Sequence, residues 1–185
     1  MSTNSPVIEL QYVAGIEEII WGVVLVALTL GIHSFGMLWT LRFSNAFKAR
    51  FAHQPAFAAG MFKLILASWL IMLVHIVEII MWAGFFQWKH CFVNFSTAGY
   101  FALNEYTTVG SSLNLPQDWR LLEGMIATAG LLGFAWSTAV LMALAQEFQD
   151  QELQLLKQRR LKHGLPTASV AAPPPPPHVA DRKLN

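Results

Sequence analysis

Residues 91–112 read CFVNFSTAGYFALNEYTTVGSS. Cys91 to Tyr106 is mostly apolar and aromatic, with Phe92, Phe95, Tyr100, Phe101 and Tyr106 along it. At 16 residues it is too short for an ordinary spanning helix, which needs about 20. It therefore reads as a re-entrant half-helix over 91–106. Small and mostly polar residues follow, Thr107, Thr108, Val109, Gly110, Ser111 and Ser112, then Pro116 and Trp119, an indole suited to a membrane–water interface. Lipid satisfies neither amide nor carbonyl, so irregular backbone at membrane depth is tolerated only where it lines protein or water. A half-helix ending in a short polar strand implies an aqueous pathway.

Longer apolar runs lie outward from this stretch. Leu64 to Trp88 sits between Lys63 and Lys89 with one acid, Glu78, while Gly124 to Gln146 is uncharged between Glu123 and Glu147. Upstream, Ile19 to Leu41 is uncharged between Glu18 and Arg42. Each run exceeds 20 residues, and as a helix covers about 34 Å against a hydrocarbon core of roughly 30 Å. The expected fold is all-α and integral to a membrane, with three transmembrane helices at 19–43, 64–88 and 120–146 plus the re-entrant helix. Composition agrees: 55% of the 185 residues are hydrophobic and 12% charged, about half the charged share of a soluble domain. The first run is too long, and residues 1–18 too acidic, for a cleavable signal. Twelve Lys and Arg against eleven Asp and Glu lack the broad basic face of a nucleic-acid binder. One cysteine, Cys91, excludes an intramolecular disulfide.

Cations set the expected orientation. Residues 1–18 hold no Lys or Arg, the loop 44–63 and its border hold Arg42, Lys48, Arg50 and Lys63, and the chain after 146 holds six. The positive-inside rule then puts the N-terminus outside and the C-terminus in the cytoplasm of a multi-pass cell-membrane protein. Within 44–63, Phe47 and Phe51 alternate with Lys48 and Arg50, which suits either an interfacial helix or an ordinary basic loop. Glu147 to His163 reads as a cytoplasmic helix, and 164–185, with Pro173 to Pro177, as a disordered or polyproline tail.

Tyr100 to Gly110, YFALNEYTTVG, resembles the pore helix and the start of the selectivity filter of potassium channels, whose pattern is Thr-Thr-Val-Gly-Tyr-Gly-Asp. Leu115 to Leu141 is similar to the inner helix of the small bacterial two-helix ion-channel family, and His75 to Phe86 resembles its outer helix. The likeness covers 64–146, leaving the first helix as an addition. It implies a passive cation channel, most simply for potassium with sodium as the other permeant ion, built as a homotetramer in the bilayer. Filter residues would be Thr107, Thr108, Val109, Gly110, Ser111 and Ser112, with Asn104 and Glu105 supporting them. The sequence departs from the family where Ser111, Ser112 and Leu113 stand at its Tyr, second Gly and Asp. A filter alternates backbone handedness, so Ser112 in a left-handed conformation would cost roughly 1–2 kcal/mol.

Other residues admit two readings. Glu105 either braces the filter strand through hydrogen bonds or stands as an acid at the outer mouth. Gly124, Gly130 and Gly133 are hinge candidates for gating, or sites of close helix packing. Ser137 and Thr138 suit a cavity wall, or bond their own helix. Asn94, Phe95 and Ser96 spell a glycosylation sequon that a buried helix would make incidental. His75 and Glu78 share one face of the second helix inside the bilayer, where ionisable groups are expensive. With His33 they open a rival class, a membrane carrier binding haem or metal for redox work, against a structural His–Glu hydrogen bond. A non-conducting accessory subunit is the third class. No nucleophile with a base, phosphate loop or dinucleotide fingerprint appears, so no enzyme is expected, nor any cofactor or bound metal beyond the permeant ion.

Overall fold

The computed structural model describes residues 12–50 and 56–162, with side chains at 12–46 and 57–162; the expectations for Phe47 to Pro55, for residues 1–11 and for the Pro-rich tail fall outside these, apart from the helical backbone of 47–50. Four α-helices follow in order: α1 (Ile16–Arg50), α2 (Ala56–Trp88), α3 (Phe95–Tyr106) and α4 (Leu121–Lys162), the last preceded by a single 3-10 turn at Gln117–Trp119. No strand occurs among the described residues. α1, α2 and α4 are each long and apolar enough to cross a membrane.

Helix bounds differ from expectation in three places. α1 runs on through Ser44 to Arg50 and α2 begins at Ala56, so most of 44–63 is helix rather than loop. Charged side chains do not stop a helix whose backbone bonds continue; Pro55 is the breaker that this stretch contains. The expected inner helix and cytoplasmic helix are one, because nothing between Gln146 and Lys162 interrupts α4. α3 starts at Phe95, not Cys91, since Asn94 caps it: Asn94 Oδ1 accepts the Thr97 N–H at 2.9 Å and the Thr97 hydroxyl at 2.7 Å.

α3 packs against both α2 and α4, while α1 packs on their other side. Trp82 and Phe86 of α2, Phe101 and Tyr106 of α3, and Leu122 and Ile126 of α4 are fully buried and form the core. Glycine lets α3 sit close: a Cβ on Gly130 would come 1.9 Å from the Tyr106 carbonyl oxygen. On Gly133 it would meet the Tyr106 hydroxyl at 3.0 Å, whereas Gly124 faces open space. Two of the three hinge candidates are thus contact positions on a continuous helix. Gly36 against Val74 and Gly22 against Met125 do the same for α1.

Depth follows from the contacts of Tyr106. It touches His75, which lies 13 residues before Trp88 on α2, about 20 Å along the helix axis. α3 therefore turns back beside α2 and ends near mid-length of the long helices. Where α2 ends, the Lys89 ammonium lies 2.9 Å from Glu17 and within 4.7–5.1 Å of the Trp119, Trp88 and Trp21 rings. At the opposite end Lys63 of α2 pairs with Glu147 of α4 at 2.8 Å. At the Lys89 end, Glu18, buried on α1, accepts the Tyr12 hydroxyl at 2.6 Å and the Leu121 N–H, capping α4 from a neighbouring helix.

Candidate functional site: the segment after α3 and the polar ring beneath it

The chain leaves α3 through a tightly bonded turn. Thr107 N–H donates to Leu103 O at 3.1 Å and Thr108 N–H to Glu105 O at 3.0 Å. Val109 N–H and Gly110 N–H both donate to Asn104 O, at 3.0 and 3.2 Å, and Asn104 Nδ2 ties back to Tyr100 O at 2.7 Å. Ser111 N–H reaches the Glu105 carboxylate at 2.9 Å. Asn104 and Glu105 accordingly brace this segment, one by its backbone oxygen and the other by its side chain. Burial raises the Glu105 carboxyl above the ordinary range, more than the Ser111 bond lowers it, and Glu123 adds to the rise.

Thr108 has φ 60° and Gly110 φ 81°, while Val109 between them has no positive φ. The backbone alternates in handedness over these three residues. It does not continue: Ser112 lacks the positive φ expected for it, so it carries no left-handed strain, and the strain falls on Thr108 instead. The amide bonds to Asn104 and Glu105 hold the turn so that Thr108 keeps this conformation. Thr108, Val109 and Gly110 are exposed on the single chain, Val109 at 75%. Among the described residues nothing donates to their carbonyl oxygens. The C-terminal, negative end of α3 lies at the same place, an electrostatic setting that favours a cation.

Beneath α3, five buried side chains from four helices close a ring. His33 Nδ1 of α1 lies 3.0 Å from Glu78 Oε1 of α2, and Glu78 Oε2 accepts the Tyr106 hydroxyl of α3. His75 Nδ1 lies 2.8 Å from the Tyr106 oxygen and 3.4 Å from Glu78 Oε2. On the far side, Ser137 Oγ of α4 lies 3.0 Å from His75 Nε2 and 3.4 Å from His33 Nε2. Trp136 and Phe134 cover the imidazoles, at 5.6 Å from His33 and 4.6 Å from His75.

His33, His75 and Glu78, singled out in the sequence, are thus brought together, and the His–Glu bond links α1 to α2. The two imidazole centroids are 5.2 Å apart, closer than two axial ligands on opposite faces of a porphyrin, so these residues do not form a two-histidine haem site. Ser137 joins the ring, but Thr138 bonds its own helix at Phe134 O, 2.8 Å. Tyr106 was missed as a polar member; its signal was a phenol ending an otherwise apolar half-helix, since a buried hydroxyl needs a partner. Also missed was the bond from Trp82 Nε1 to Thr29 Oγ1 at 2.9 Å. No family model, no curated protein and no solved structure matches this chain.

Proposed function

We propose that this chain is one protomer of a passive cation channel, with potassium the expected permeant ion. The observation that carries the reading is the alternating backbone at Thr108, Val109 and Gly110, whose carbonyl oxygens are unused at the end of a half-helix directed into the membrane layer. Several such strands around an axis supply rings of carbonyl oxygen that replace an ion's hydration shell. Four copies match the pattern implied by Thr107 to Gly110. The alternation ends at Gly110, so the ion sites of this reading lie on its α3 side and Ser111 and Ser112 form the wider mouth. Glu105 serves as a positioning residue through Ser111.

The test is flux through purified protein in liposomes under a potassium gradient. Potassium-dependent dissipation of the gradient supports the reading, with weaker discrimination against sodium than a full filter gives. The double change Ser111→Tyr with Ser112→Gly is expected to raise the potassium-to-sodium permeability ratio. Liposomes that hold their gradient with folded protein inserted overturn the channel assignment, and an unmoved ratio overturns the register.

A further inference from the structure

We propose that His33, His75 and Glu78 bind a single first-row transition-metal dication of the Zn²⁺ type beneath α3. The inference is independent of ion flux and rests on how the two imidazoles are turned. Both present Nδ1 toward Glu78, at 3.0 and 3.4 Å, and both present Nε2 toward one oxygen, Ser137 Oγ. Ligands bonded to one tetrahedral zinc at roughly 2.0–2.1 Å stand about 3.3 Å apart, and the two Nδ1 atoms lie 3.0 and 3.4 Å from the two oxygens of the one Glu78 carboxylate. One donor atom from each of the three residues lies within 4.8 Å of the others. With Nδ1 on the metal, each imidazole carries its proton on Nε2, and the two lone pairs of Ser137 Oγ accept both. A histidine ligand is ordinarily held in this way from behind.

A bound dication would meet the two Nδ1 atoms and the Glu78 carboxylate, and Tyr106 would still donate to Glu78. Two histidines and one glutamate are also a donor set that leaves a fourth zinc position for a further ligand.

Full-length protein in detergent, stripped with chelator and dialysed, should take up one Zn²⁺ per chain by elemental analysis. Co²⁺ should give the visible band of a tetrahedral site, displaced by Zn²⁺. His33→Ala, His75→Ala and Glu78→Gln should each remove the band. Because those changes also break buried bonds, Ser137→Ala is the second test: it should keep helical content and weaken Co²⁺ binding by about tenfold or more. Folded wild-type protein that retains no zinc and gives no cobalt band overturns the proposal. Equal metal uptake by Ser137→Ala and by all three ligand variants overturns it as well.

Discussion

Thr108 holds a backbone conformation that its branched side chain resists, at a cost on the order of 1–3 kcal/mol, and it does so with its neighbours pinned. Asn104 O takes two amides and Glu105 takes the Ser111 amide, so relaxing Thr108 means breaking bonds at both ends of the turn. Gly110 differs, because no atom lies within 4 Å of where its Cβ would be, and only its φ of 81° resists substitution. Gly110→Ala should therefore leave folding intact while costing about 1–2 kcal/mol at that residue and turning its carbonyl away. Potassium flux in liposomes should fall to background; flux at the wild-type rate refutes the role given to this carbonyl. Glu105 makes a prediction about pH. A carboxyl raised above its unfolded value favours the neutral form in the fold, so stability is fullest below the unfolded pKa and declines as pH rises through the folded one. Melting curves from pH 4 to 8 should show that decline in the wild type and lose much of it in Glu105→Gln, which keeps an acceptor for Ser111. Identical slopes in the two proteins count against burial as the cause.

α3 owes its depth to the absence of a side chain on α4. Gly130→Ala would drive a methyl group into the Tyr106 carbonyl, and neither backbone can yield without separating the helices. Overpacking of this kind costs about 1–3 kcal/mol or more, and a chain of this size loses about 2–4 °C of melting temperature per kcal/mol. A fall of several degrees in detergent is expected, with Gly124→Ala as the silent control because its Cβ meets nothing. The three long helices were legible in the sequence because uncharged runs over 20 residues have few other solutions in lipid. Their lengths were not, since charge marks where a helix leaves the membrane and only a backbone breaker marks where it ends. For the same reason the closeness of His33, His75 and Glu78 was half legible. Spacing put His75 and Glu78 on one face, but which helix would face them, and that Tyr106 and Ser137 would close the ring, depended on packing at Gly130 and Gly133.

One chain supplies one strand with unused carbonyls, so the proposed ion path is incomplete in a single protomer. The exposure of Thr108, Val109 and Gly110, and of Val93, Phe95 and Tyr100 nearby, leaves a face for identical copies to share. Native mass measurement in mild detergent should give four chains, and a species that is monomeric or dimeric in every detergent removes the axis on which the channel reading depends.

The cluster of Lys89, Glu17 and three tryptophans joins the ends of α1 and α2 to the start of α4 at one rim only. Indole and ammonium groups settle at the headgroup boundary, so this cluster, three rings around one cation, would set the level of its rim, while toward the Lys63–Glu147 rim Trp39 and Trp69 are exposed. When the surrounding bilayer thickens or thins, hydrophobic mismatch is expected to be taken up chiefly away from the clustered rim, by tilt or by drawing more of α4 into the hydrocarbon. Thr108 to Gly110 would then keep their distance from the headgroups on the clustered side.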